Sequence, residues 1–153
     1  MDFVYNDGGR SKDFKAKSVG DCVTRAIAIA TWTDYKEVYD AINKLAKAER
    51  VGSKKRHISS SRNGVYKITE RKYLESKGWS YKPLMKIGAT EHYYLCESDL
   101  EKLGLDYGVY IFQIKRHLTT VIDGVINDTF NPSEYREPLL YGYYYEEGKY
   151  EEA

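Results

Sequence analysis

The sequence predicts an α+β domain, and three observations carry that prediction. Val23, Ala26, Ile27, Ala28, Ile29 and Ala30 form a short apolar stretch with almost no polar face, which is the pattern of a helix buried at the centre of a fold. The last third of the chain changes period, with runs at 109–114, 118–122, 125–130 and 139–145 rich in β-branched and aromatic residues. Asp123-Gly124 stands between two of those runs as a hairpin signal. Helices first and an antiparallel sheet afterwards describe an α+β architecture.

Taken in order, residues 1–20 read as an irregular lead-in with a turn at Asn6-Asp7-Gly8-Gly9. The apolar helix spans about 21–32 and is interrupted only by Arg25. An amphipathic helix follows at about 34–49, with Tyr35, Val38, Ile42, Leu45 and Ala46 at helical spacing. Asp34 and Glu37 resemble a capping box at its start. Residues 50–64 form a basic, Ser/Gly-rich loop, and a short helix then runs to about Lys77 with Gly78 as its cap. Trp79 to Met85 reads as a strand interrupted by Pro83, and 98–103 as a short capped helix closed by Gly104. Residues 146–153 read as a solvated acidic tail.

At 153 residues the chain fits one domain with one core. Its 42% apolar content excludes a disordered chain, and a formal net charge of +1 provides no global field towards nucleic acid or membrane. No apolar run approaches the roughly 20 residues needed to span a bilayer. Residues 1–7 lack a basic-then-apolar signal, so a cytoplasmic location is expected. In that compartment a bridge between the two cysteines, Cys22 and Cys96, is not expected. The cysteines and the histidines His57, His92 and His117 have no metal-ligand spacing. The reading therefore calls for no metal and no cofactor.

Gly20-Asp21-Cys22 opens the buried helix. A thiol there faces the positive end of the helix dipole and unpaired N–H groups, which favours the thiolate and can hold an oxyanion. The adjacent Asp21 opposes a thiolate unless its carboxylate turns aside to cap the helix. If Asp123-Gly124 makes a two-residue turn, Ile122 pairs with Val125, Val121 with Ile126 and Thr119 with Asp128. His117, Thr119 and Asp128 then share a face, whereas Asn127 points to the other. Cys22 as nucleophile, His117 as base and Asp128 as the group that orients the imidazole are the parts of an activated thiol. The remaining candidates read as bland: His57 as a solvated loop residue, His92 as a surface residue, and Cys96 as structural.

Gly20-Asp21-Cys22-Val23-Thr24-Arg25-Ala26-Ile27, and the segment from Arg116-His117 to Asn127-Asp128, resemble the two motifs of papain-like cysteine peptidases. The likeness is greatest to small bacterial and phage-type members related to bacteriocin-leader-processing peptidases, and Asp128-Thr129-Phe130-Asn131-Pro132 is similar to the end of their triad strand. The resemblance implies a papain-like fold, with the helix bearing Cys22 packed on the C-terminal sheet. It also implies a hydrolase that cleaves a peptide or isopeptide bond in a peptide or protein substrate; deamidation or acyl transfer would use the same groups. Where such enzymes usually carry a Gln before the cysteine, this chain has Phe14-Lys15-Ala16-Lys17-Ser18. Asn6 is then the candidate second oxyanion donor. The missing Gln and Asp21 favour an alternative, a non-catalytic module that holds a protein or nucleic acid by its cleft or by loop 50–64. Nucleic acid is the less favoured partner, because most charge runs are solvated faces and the tyrosines concentrate in the sheet. Oligomeric state is left open.

Overall fold

The computed structural model describes residues 1–15, 20–54, 56–88 and 90–149. Along the described chain the elements run β1 (Phe3–Tyr5), α1 (Arg10–Asp13), α2 (Cys22–Thr31), α3 (Tyr35–Ala46), α4 (Lys67–Ser76), β2 (Trp79–Pro83), α5 (Glu97–Leu103), β3 (Val109–Ile114), β4 (His117–Ile122), β5 (Val125–Asp128) and β6 (Gly142–Glu146). The architecture is mixed α+β, five helices with a six-stranded sheet among the described residues, in the order β1-β5-β4-β3-β6-β2.

The sheet departs from the expected all-antiparallel form at one edge. β1, in the lead-in read as irregular, pairs parallel with β5, setting Phe3 against Ile126 and Tyr5 against Asp128. Ile126 N–H donates to Asp2 O at 2.9 Å and Asn6 N–H to Asp128 O at 2.9 Å, which extends the ladder at both ends. Three residues are too few for a periodic signal, and their partner lies over 120 positions away. The expected hairpin forms at Asp123-Gly124, both residues at positive φ (49° and 78°), and pairs Ile122 with Val125 and Val121 with Ile126. A second tight turn joins Ile114 to His117 and holds Arg116 at φ 56°.

The sheet carries a hydrophobic cluster on each face. On one, Ala26, Ile27 and Ala30 of α2 meet Val109, Ile111 and Leu118, with Val38 and Ile42 of α3 and Tyr73 and Leu74 of α4 closing over them. On the other, Leu95, Leu100 and Leu105 pack on Phe112, Val121 and Ile126. α2 is bound to β4 by more than apolar contact: Thr120 Oγ1 donates to Ala26 O at 2.7 Å. α4 is tied to β6 where Tyr144 Oη donates to the buried Glu70 carboxylate.

Three local expectations are revised. Asp34 is the N-cap residue of α3 but makes no side-chain cap bond; Lys12 Nζ lies 3.6 Å from its carboxylate instead. The acidic tail starts later than expected, because Glu146 still pairs with Trp79 in the sheet and Glu147 N–H donates to Gly78 O; residues 150–153 lie outside the described residues. The basic loop is not solvated throughout, since Ser59 and Ser61 are buried between exposed residues 56–58 and 62–64. Ser61 N–H donates to Asn43 Oδ1 at 2.9 Å and its hydroxyl to Tyr39 O at 2.6 Å. Among the described residues no helix is long and apolar enough to cross a membrane.

Gly142 pairs with Pro83 where β6 lies beside β2, and a Cβ there would stand 2.7 Å from Lys82 O and against the Tyr81 ring. Gly142→Ala is therefore expected to destabilise the fold by about 1–3 kcal/mol through overpacking, read as a lower urea midpoint at unchanged slope.

Candidate active site

The thiol is positioned by α2, whose first residue is Cys22. Asp21 caps the helix through its backbone, with Arg25 N–H donating to Asp21 O at 2.9 Å, and makes no side-chain cap bond. The leading N–H groups of α2 are thus not taken by the Asp21 carboxylate. That carboxylate turns into the interior. Arg10 Nη1 lies 3.2 Å and Arg25 Nη1 2.5 Å from Oδ1, and Tyr35 Oη donates to Oδ2 at 2.7 Å. Two guanidinium groups and a phenol occupy the charge that would otherwise oppose a thiolate. The Asp21 carboxylate is turned aside, but to bind cations and a phenol rather than to cap the helix.

His117 opens β4 and Asp128 closes β5. The hairpin register puts His117, Thr119 and Asp128 on one face, and the contacts follow: His117 Nε2 lies 2.7 Å from Asp128 Oδ2, and Thr119 Oγ1 donates to the same oxygen at 2.7 Å. Asp128 Oδ1 accepts from Arg25 Nη2 at 3.0 Å and from Thr129 N–H at 2.7 Å. Four donors hold one buried carboxylate, leaving it no freedom to rotate. With Nε2 committed to Asp128, Nδ1 is the imidazole nitrogen left for the thiol. Phe130 stands beside the imidazole, ring centroids 5.0 Å apart.

The electrostatics follow from these contacts. Burial raises the pKa of Cys22, but its hydrogen bond to His117, the His117 charge, the Leu118 N–H and the Arg25 charge outweigh burial and hold the thiol below its ordinary value. Burial alone would lower His117; hydrogen bonds to Asp128 and Cys22, with the charges of both, push it up to about 9. For Asp128, burial raises the carboxyl, and the bond and charge of His117, the Arg25 charge and the Thr119 hydroxyl bring it below its usual value. All three shifts run in the direction of a thiolate–imidazolium–carboxylate chain. Cys22 is half-buried and the His117 side chain 12% exposed, so the pair is reachable from solvent.

The structure therefore brings Cys22, His117 and Asp128 together. Asn6 goes elsewhere. Its Nδ2 donates to Asn127 Oδ1 at 3.2 Å and its Oδ1 accepts from Gly8 N–H at 2.9 Å. It lines a hollow with Ala28, Ile29 and Trp32 at the far end of α2 from the thiol. Asn127 is on that side too, as the register requires. Lys15 precedes the point where description stops; residues 16–18, part of the stretch lacking a Gln, lie outside the described residues. His57 and His92 are exposed, as expected. Cys96 is the N-cap residue of α5, with Sγ 3.4 Å from Ser98 Oγ, and both cysteines are free. Among the described residues no cluster of three His, Cys, Asp or Glu could hold a metal ion.

Two residues were missed from sequence. Thr119 was placed on the right face without a role. Arg25 was noted only as an interruption, yet a lone arginine in a helix that is otherwise apolar needs a buried anion, and that demand was the available signal. Compared with models of known protein families, with curated proteins and with solved structures, the chain matches none.

Replacing Arg25 by Met leaves Asp21 and Asp128 buried without their shared cation, and is expected to cost about 3–5 kcal/mol of stability in urea unfolding. In native protein, the pH midpoint for alkylation of Cys22 by iodoacetamide is expected below that of the same residue unfolded in urea, and His117→Ala should return it upward. Folding raises His117 from 6.5 to about 9, so its contribution to stability is complete below about pH 6.5 and lost as pH rises through about 9. The stability gap between the native sequence and His117→Ala should narrow over that window.

Proposed function

We propose that this chain is a cysteine hydrolase of papain-like architecture that cleaves a peptide or isopeptide bond through an acyl-enzyme. One observation carries the reading: the Cys22 thiol at the start of α2 interacts with an imidazole whose Nε2 is held 2.7 Å from a buried carboxylate. The Cys-then-His-then-Asp order, on a helix followed by two adjacent strands, supports the papain-like assignment.

In this mechanism the Cys22 thiolate attacks the substrate carbonyl carbon. The developing oxyanion is met by N–H groups at the start of α2, where the dipole adds its positive end. The His117 imidazolium then gives its proton to the departing amine as the C–N bond breaks, leaving a thioester. Water attacks that thioester while His117 takes its proton, and expulsion of the thiolate restores the starting ion pair. Asp128 keeps the ring aligned and stabilises its positive charge. Arg25 and Thr119 hold Asp128 and are positioning residues. An amine in place of water would give acyl transfer, and a side-chain amide in place of a peptide bond would give deamidation.

The test is p-nitrophenyl acetate and iodoacetamide at pH 7, followed by intact mass and peptide mapping. An acetyl group on Cys22 is expected before any on Cys96, and faster carbamidomethylation of Cys22 than of Cys96. His117→Ala should slow both reactions at Cys22 by at least about tenfold, and Asp128→Asn should slow deacylation by roughly 10²–10⁴-fold. Equal labelling of the two cysteines, insensitive to His117→Ala, would refute the proposal.

A further inference from the structure

A hollow of about 900 Å³ opens along the loop before α4 and is lined by Val51, Arg56, Ile58, Asn63 and Tyr66 among others. Its floor is built rather than loose. Ser60 and Gly64 exchange backbone hydrogen bonds at 2.8 and 2.9 Å, and Ser59 Oγ donates to the Glu49 carboxylate while accepting from Tyr66 N–H at 2.8 Å. Ser61, in the same turn, accepts from Thr24 Oγ1 of α2 at 2.8 Å. The hollow also adjoins the thiol's own segment: a Cβ on Gly20 would stand 3.0 Å from Asn63 O, two residues before Cys22. A side chain at position 20 would push this wall away from the start of α2.

The lining is apolar at Val51, Ile58, Val65 and Tyr66, and also includes Arg56 and His57. Arg50, Lys54 and Arg62 lie in the same stretch, and among the described residues none of them, nor Arg56, has a carboxylate within ion-pair distance. The nearest acidic residue in sequence, Glu49, accepts from Ser59 and Thr69. The chain as a whole is close to neutral, so this concentration of basic residues is local.

We propose that this hollow is a substrate subsite that receives an acidic residue in an otherwise apolar peptide segment, beside the bond that Cys22 attacks. The proposal rests on the hydrolase reading and names its substrate class. An acidic peptide fits better than a nucleic acid because the hollow is concave and walled by aliphatic side chains, which match a peptide's side chains better than a phosphate backbone.

The experiment uses acetylated tetrapeptide vinyl sulfones that differ only in Glu or Gln, placed in turn at each position before the electrophile, on the full chain. At one position the Glu probe is expected to label Cys22 roughly tenfold faster than its Gln twin. That ratio should fall towards one in Arg56→Gln and invert in Arg56→Glu. Taking the ratio within each variant removes any change in folding or thiol reactivity. A ratio near one at every position, or one that Arg56→Glu leaves unmoved, overturns the proposal. In parallel, fluorescence anisotropy follows the Glu peptide, without its electrophile, on Cys22→Ala. If no probe labels Cys22 but this peptide still binds in an Arg56-dependent way, the hydrolase reading fails and the subsite stands. If single-stranded oligonucleotide binds in its place and the peptide does not, the hollow belongs to nucleic acid and the proposal is overturned.

Discussion

Burying the Arg25 guanidinium is the constraint on which the rest of this structure depends. An uncompensated cation in the interior would cost several kcal/mol, so the fold must deliver anions to it. It delivers two: Asp21 from the preceding turn and Asp128 from the end of β5, at 2.5 and 3.0 Å. The first contact is local. The second spans 103 residues and fixes one end of α2 against one end of the sheet. Because the thiol lies at the start of that helix and the imidazole beside that carboxylate, a single buried ion pair sets the thiol and the imidazole relative to each other.

The rest of the scaffold makes that placement unique. Ile27 and Ala30 pack on β3 and β4, but apolar surface alone would let α2 slide. Thr120 bonding to Ala26 O and Thr24 bonding to Ser61 O remove that freedom from two directions. Such buried polar contacts add less to stability than to specificity, since a well-packed apolar substitute would often be as stable. Here they act on the angle and height of one helix.

Charge runs through the site as an alternating chain. Arg10, Asp21, Arg25, Asp128, His117 and Cys22 follow one another along the site. Asp128 meets a cation on both sides, which accounts for its low pKa; His117 meets an anion on both sides, which accounts for its high one. The thiol is the terminus, and His117, the Leu118 N–H and Arg25 hold it below its ordinary value. Loop 59–64 is anchored on α2 and α3 through Thr24, Asn43 and Tyr39.

Much of this was legible without coordinates. The apolar run 23–30 and the heptad-like spacing of Tyr35, Val38 and Ile42 are short-range patterns and located α2 and α3 to within a few residues. Asp123-Gly124 selects its turn type by local sterics, which decided the register and put His117, Thr119 and Asp128 on one face and Asn127 on the other. What depended on distant partners was not legible. β1 joins β5 through backbone groups that leave no mark in three residues; Asn6 is drawn to Asn127; the Asp21 carboxylate binds two arginines instead of the helix end; and Arg25 finds Asp128. The sequence by itself determined the elements and one hairpin's geometry, because turns and periodicity are properties of neighbouring residues. Tertiary structure alone decided which buried charges met, because pairing across a hundred residues is chosen by desolvation once the core has closed, and no local pattern encodes it.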